Sequence, residues 1–364
     1  MLGIYIHIPY CRTLCPYCDF VKVRTKTTVP EAFTDALCSE IDAYDGPVDA
    51  QSVFFGGGTP SLVPPAQLER ILGALHNQFT FHDPEITLEA NPDDVTDELV
   101  QAWKDLGINR ISMGVQSFDE RVLRYLGRRH DVGGAERACE IIARHFDSWN
   151  LDLIFGAKPI GAWEATLQRA VEINPPHIAA YGLTYEPGTP FEKRMDDAVD
   201  PDTSLELYKE LERILADYDH YEISNFAKPG RASRHNLVYW NNGEYAGFGT
   251  GAYSYLDGVR ARNHSSLEHY LEVPGEKEEA LTLTRAEEKV ETMIQYMRLH
   301  EGIPRADYET RFGCAIEADY GVALDALVAR GLVECTSTHI RPTSEGFYLN
   351  NEIGLELLSA VLPE

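Results

Sequence analysis

With 364 residues, 44% hydrophobic and 25% charged, the chain has the composition of a soluble globular protein with room for one large domain and a small one. Its 58 acidic residues against 32 basic ones give a net charge of -26, which opposes a phosphate backbone and sets nucleic acid aside as a general partner. No apolar run approaches the roughly 18 residues that span a membrane, and no charged segment with a long apolar stretch precedes the first elements, so a reduced, cytoplasmic setting is expected.

The first predicted strand, Gly3 to Ile8, runs directly into Cys11-Arg12-Thr13-Leu14-Cys15-Pro16-Tyr17-Cys18, three cysteines in eight residues. Three chemistries compete for them. A disulfide fits poorly with seven cysteines and a reducing setting. Structural zinc wants four ligands, usually as two separated pairs, and here the position two past Cys18 is Phe20 while His7 lies back on the strand. An iron-sulfur cluster on three cysteines leaves one iron open to a small molecule. The remaining cysteines, Cys38, Cys139, Cys314 and Cys335, are isolated, and Cys38 and Cys139 sit in helical patterns that suit buried thiols.

Further strands are predicted at Ser52-Phe55, Glu85-Glu89, Arg110-Val115, Leu151-Phe155 and Ile178-Leu183, with helices around Pro30-Tyr44, Pro65-Asn77, Thr96-Leu106, Gly133-His145, Ala162-Ile173 and Thr203-Tyr218. Repeated strand-helix units imply a parallel sheet with right-handed crossovers, and six units suit an open or partial barrel. The unusual residues gather at the strands' carboxyl ends: the cysteine loop, then Gly56-Gly57-Gly58-Thr59-Pro60, then Glu89, then Gln116, with Asp152 on the fifth strand. Carboxyl ends are the active face of such a sheet. A lone triple glycine is more often a turn, and Glu89 or Gln116 alone reads as a surface residue; together on one face they read as a site.

Cys-x3-Cys-x2-Cys with Tyr17 before the last cysteine resembles the radical S-adenosylmethionine enzymes. Tyr5-Ile6-His7-Ile8-Pro9, Phe54 to Ser61, Leu88 to Pro92, Gly114 to Phe118, Leu126 to His130 and Asn150 to Ile154 resemble, in order, its coproporphyrinogen oxidase-like branch. The resemblance implies an α/β fold, a partial (β/α)6 barrel over 1-270, with a 4Fe-4S cluster on Cys11, Cys15 and Cys18. It also implies S-adenosyl-L-methionine held by Tyr5, Gly57, Gly58, Thr59, Glu89, Gln116, Arg128 and Asp152. In that superfamily the open iron chelates the methionine moiety, and a reduced cluster breaks the sulfonium to a 5'-deoxyadenosyl radical. One departure lies at Gly156-Ala157-Lys158-Pro159-Ile160-Gly161, where the family usually has Gly-Leu-Pro-Gly-Gln, so the family's cofactor contact from that loop is not carried over to this chain.

Beyond the sixth unit, in an extension of about 225-270, come Ser233-Arg234-His235-Asn236-Leu237-Val238-Tyr239-Trp240 and Gly247 to Ala252. A histidine beside large aromatics is usually a core residue, and it is also what an axial haem ligand needs. His-Asn-x-x-Tyr-Trp resembles the haem chaperone subfamily called HemW, which implies haem on His235 as cargo, acceptor haemoproteins, and an electron donor such as a flavodoxin or ferredoxin. Where that family often has histidine after Gly-Ala, this chain has Tyr253. The runner-up is oxygen-independent coproporphyrinogen III oxidase; those enzymes add a cysteine at position 20, where Phe20 stands. Glu272 to Glu279 reads as a linker, and 280-364, with helices at Thr284-Leu299 and Val322-Arg330 and a hairpin from Gly331 to Pro342, as a small winged-helix-like domain without a basic recognition stripe. Peripheral membrane contact, a homodimer and the use of radical chemistry are left open.

Overall fold

The computed structural model describes residues 2–361. Each of the first strands contains a run of consecutively buried residues, which is the pattern of a strand covered on both faces: β1 (Leu2–Ile8), β2 (Val48–Gly57), β3 (Phe79–Ala90), β4 (Arg110–Gln116), β5 (Trp149–Phe155) and β6 (His177–Gly182). They pair in parallel from β1 to β6 in sequence order.

Two antiparallel strands, β7 (Asp219–Glu222) and β8 (Asn225–Ala227), finish the sheet beyond β6. On the other side β9 (Tyr245–Phe248) joins β1 in parallel, followed by antiparallel β10 (Tyr253–Leu256), β11 (Val259–Asn263) and β12 (Lys277–Thr282). The order is β12-β11-β10-β9-β1-β2-β3-β4-β5-β6-β8-β7, a twelve-stranded sheet whose outermost strands β12 and β7 do not pair with each other, so the sheet stays open.

Helices cover the sheet through one apolar stripe each. α1 (Glu31–Asp42) buries Phe33, Leu37 and Ile41, and α2 (Pro65–Gln78) buries Leu68, Ile71 and Leu75. α3 (Asp97–Asp105) starts where the Thr96 hydroxyl accepts the Leu99 N–H, and it buries Val100 and Trp103. α4 (Glu120–Tyr125) and α5 (Val132–His145) begin on Asp119 and Asp131 caps. α6 (Trp163–Ile173) stops at Asn174 in the left-handed region, and α7 (Pro201–Ile214) begins on an Asp200 cap with proline in its first turn.

Past β8, α8 (Arg234–Trp240) has its N-terminus seated on the Glu85 carboxylate, which accepts the Arg234 and His235 N–H groups at 3.1 and 3.0 Å. α9 (Leu267–Glu272) lies between β11 and β12. A second core holds α10 (Arg285–Tyr296), α11 (Arg305–Phe312), α12 (Ile316–Ala329), α13 (Ser344–Tyr348) and α14 (Asn350–Val361) with a three-stranded sheet, β13 (Ile303–Pro304), β15 (His339–Pro342) and β14 (Val333–Cys335). The expected hairpin is β14 with β15. The expected linker is not one: Lys277–Thr282 is the edge strand β12, whose side chains are all exposed.

Candidate cofactor site at the carboxyl ends of the parallel strands

The strands β1 to β6 open onto one cavity of about 820 Å³. The cysteine loop forms one wall. Its root is clamped by a two-residue ladder, Tyr10–Cys11 with Val23–Arg24, reinforced by Val23 N–H to Pro9 O at 2.7 Å and Thr25 N–H to Cys11 O at 2.8 Å. Its tip rests on Phe191, whose N–H donates to Pro16 O at 3.1 Å and whose ring meets Tyr17 at 6.1 Å.

Cys11, Cys15 and Cys18 are free thiols, and all three line the cavity. Burial pushes Cys11 up to about 11, with the neighbouring Cys18 and Cys15 adding to it and a hydrogen bond from Thr59 opposing. Burial raises Cys18 as well, and Arg128 Nη1 donates to Cys15 Sγ at 3.4 Å. Such thiols carry negative charge readily only beside a bound cation. Among the described residues no three cysteine, histidine or carboxylate side chains stand together as around a single ion. No cysteine stands at position 20; Phe20 does, 58% exposed at the cavity.

The glycine turn comes next. Gly57 has φ +103, and a Cβ there would lie 2.5 Å from the His7 ring; a Cβ on Gly58 would lie 2.7 Å from Ile8 O. These positions are glycine because the turn presses against β1 and the root of the cysteine loop, which also exposes its backbone to the cavity. Gln116, at the end of β4, holds φ +68, a strained conformation for a side-chain-bearing residue and one that turns the chain at the cavity wall. Gly114 leaves room for Arg128, which donates to Gly114 O at 2.7 Å.

Glu89 and Asp152 face the same hollow. Burial, and then the nearby Asp152 charge, push Glu89 up to about 8, against a hydrogen bond from the Gly57 backbone. Burial pushes Asp152 up to about 6, although Ser112 and Asn150 donate to it, the latter at 2.7 Å. Two carboxyls without a paired cation, an arginine, and open backbone suit a ligand that brings a cationic centre, hydroxyls and a carboxylate.

The structure thus brings Cys11, Cys15, Cys18, Gly57, Gly58, Thr59, Glu89, Gln116, Arg128 and Asp152 onto one wall, and it keeps two expected contacts off it. Tyr5 lies against Phe54, ring centroids 6.3 Å apart, with its hydroxyl 3.1 Å from His7 Nδ1. His235 is 1% exposed, and both its nitrogens are engaged: Nδ1 with the Ser52 hydroxyl at 2.9 Å and Nε2 with the Tyr239 hydroxyl at 2.8 Å. Burial pushes it down to about 3, so it is a neutral imidazole, and it meets the cavity through Tyr239 and through Phe54, whose ring stacks on it at 5.1 Å. No residue of the departing loop, Gly156 to Gly161, lines this cavity; Lys158 instead pairs with Asp197 at 2.7 Å beside a separate groove. Tyr253 is exposed and also away from it.

Sequence reasoning missed Arg110, a 2%-exposed arginine at the start of β4, and the far wall made by Glu222, Asn225 and Arg298. An arginine opening an otherwise apolar strand was the available signal for the first; nothing local marks the others.

Comparison with known proteins agrees with this architecture. Residues 5–169 match the radical SAM superfamily, and residues 283–349 match the HemN C-terminal domain. The solved structure of coproporphyrinogen III oxidase (HemN) from Escherichia coli, a radical SAM enzyme, superposes with a TM-score of 0.85 at 24% identity, over 98% of this chain and 89% of that one. Curated relatives bearing the name heme chaperone HemW include those of Lactococcus lactis, 34% identical over 96% of this chain and 95% of its own, and Bacillus subtilis, 33% identical over 97% and 98%. That of Escherichia coli is 36% identical over 92% of each. With the three-cysteine wall and the open α/β sheet, these likenesses establish that the chain belongs to the HemW family of the radical SAM superfamily.

Proposed function

We propose that this protein is a haem chaperone. It holds a 4Fe-4S cluster on Cys11, Cys15 and Cys18 and S-adenosylmethionine across Gly57 to Thr59, Glu89, Gln116, Arg128 and Asp152. It takes up haem and passes it to acceptor haemoproteins. The observation that carries the reading is the make-up of the cavity at the strands' carboxyl ends. At one end stand three thiols with no fourth, and Phe20 occupies the place of a further cysteine; at the other, Phe54, Tyr181, Tyr239 and Trp240 offer flat apolar surface for a macrocycle.

When bound, the cluster supplies one-electron reducing power, drawn from a flavodoxin- or ferredoxin-type donor. The chain's own residues orient and exclude. Arg128 and the carboxyl pair fix the cofactor's charged ends, and the loop propped on Phe191 shields the thiols from behind. His235 is the proposed iron ligand, and Tyr239 stands over its Nε2, so uptake requires that hydroxyl to swing aside.

Haem uptake tests this. Purified protein takes up haem with a Soret shift that His235→Ala weakens, and hands it to an apo-haemoprotein. Given coproporphyrinogen III, S-adenosylmethionine and a reductant, it releases no carbon dioxide. Decarboxylation at enzymic rates, with haem uptake indifferent to His235, would install the oxidase reading instead.

A further inference from the structure

The far wall of the cavity holds an arginine whose hydrogen-bonding capacity is only partly spent. Arg298 follows α10, and its main chain is tied into the edge of the large sheet. Ile223 N–H donates to Arg298 O at 3.2 Å, His300 N–H donates to Tyr221 O at 3.0 Å, and Glu222 bridges Leu299. The C-terminal unit therefore delivers this side chain to a cavity otherwise built by the sheet. The guanidinium lies over the Trp240 indole, Cζ 4.3 Å from the ring centroid, which fixes its plane. The nearest carboxylate oxygen, Glu222 Oε2, is 3.5 Å from Nη2, and Arg298 Nε has no partner.

Three neighbours share the deficit. Trp240 Nε1 and Asn225 Oδ1 also lack partners, Glu222 Oε2 accepts no hydrogen bond beyond its long ion pair with Arg298, and all four side chains line the cavity. Glu222 and Asn225 are 0% and 2% exposed. Buried polar atoms are normally satisfied, so such a cluster on a cavity wall marks a place for a ligand's polar group. Glu222 is itself held in the wall, since its Oε1 accepts Ser224 N–H at 3.1 Å and the Asn225 amide. Burial raises its carboxyl above the usual range, and the Arg298 charge opposes that rise.

A flat guanidinium fork with an indole N–H beside it matches one group above others, a carboxylate. We propose that Arg298, with Trp240, anchors a carboxylate arm of the macrocycle, so that the cargo is a porphyrin bearing free carboxylates. This rests on the haem reading above, and it adds what that reading leaves open, the recognition of the ring's acidic edge. Arg298 is well placed for the task because the neighbouring wall, Tyr239 and Phe54, is aromatic while its own patch is polar.

The test uses the full chain, haem and haem dimethyl ester, in which both carboxylates are masked while the ring and iron stay the same. Wild-type protein binds the free acid about tenfold or more tightly than the ester, the scale of one lost charged hydrogen-bonding pair. Arg298→Lys keeps the charge, loses the fork and loses most of that preference, while it binds the ester as the wild type does; Arg298→Ala loses all of it. The ester arm needs no variant, so a misfolded substitution cannot decide the outcome. Equal wild-type affinity for acid and ester, or an undiminished preference in Arg298→Lys, overturns the anchor and leaves the haem reading standing. Failure of the wild type to bind either ligand overturns both.

Discussion

Glu40 and Glu89 are both glutamates drawn deep into the protein, and the fold treats them in opposite ways. Glu40, on α1, sits in the seam against the antiparallel strands, where it accepts Gly249 N–H at 2.8 Å and the Asn263 amide and Tyr270 hydroxyl at 2.6 Å each. Its charge is spent on the protein. Glu89, on the cavity wall, has a backbone hydrogen bond from Gly57 and a second carboxyl, Asp152, for a neighbour. The seam closes its polar accounts within the chain, and the cavity leaves them open. A ligand site is legible as this deficit: thiols without a cation, carboxyls without a base, an arginine with donors to spare.

The contrast breaks most directly at the thiols. Replacing Cys11, Cys15 or Cys18 by alanine should abolish iron loading of anaerobically reconstituted protein, about four irons per wild-type chain by assay; iron retained there but lost on replacing Cys314 or Cys335 would mean the wrong thiols carry the deficit. Next in size is the seam. Glu40→Ala strands three donors and should cost about 3 kcal/mol or more in chemical denaturation, with cofactor affinity of the folded fraction unchanged. A small loss would erase the distinction between spent and unspent groups.

Glu89→Gln should weaken S-adenosylmethionine binding by about 1.5–3 kcal/mol at pH 8, read by calorimetry. The sign in pH follows from the raised carboxyl. A cationic ligand favours the ionised form, so binding expels a proton, and wild-type affinity should climb between about 6 and about 8 and level off above. In the ligand-free fold the same raised value works against stability as pH rises from the ordinary carboxylate range to about 8, so the glutamine variant should melt higher at pH 8. Affinity flat with pH would place Glu89 with Glu40. Smallest is Tyr239→Phe, which removes the hydroxyl over His235 Nε2 and should tighten haem binding about twofold to tenfold if that nitrogen meets iron; unchanged affinity would count His235 among the closed groups.

Much of this was readable beforehand because it is local. A β-branched run followed at once by cysteines, glycines or a lone polar residue announces a strand and what it carries at its end, and Cys11 to Cys18, Gly57, Glu89 and Gln116 follow that rule, while Asp152 stands out as a lone acid within an apolar strand. What escaped is set by distant partners. Glu40 looks like any polar helix residue until Asn263 and Tyr270 arrive, and His235 reads as an available imidazole until Ser52 and Tyr239 occupy it. Lys277–Thr282 passes for a linker because an edge strand with no buried face has no alternation to show, and its charges are what keep such an edge from pairing further. Arg298 carries no mark in its own neighbourhood; only the bridge from Glu222 to Leu299 puts it on the wall.

The parallel pairing of β1 with β9 reaches beyond geometry into the order of events during synthesis. β1 carries the cysteine loop at its end, and Gly3 to Ile6 align with Tyr245 to Phe248, while Gly249 packs against His7. Contacts so remote in sequence form late and are slow to find, because a long loop must close before they repay its entropy. On the ribosome the strand that roots the thiols therefore emerges long before β9, the strand that completes its pairing, which leaves the loop accessible through the synthesis of everything between them. Iron loading is then expected to follow release of the chain, and a nascent chain stalled before β9 should hold no cluster.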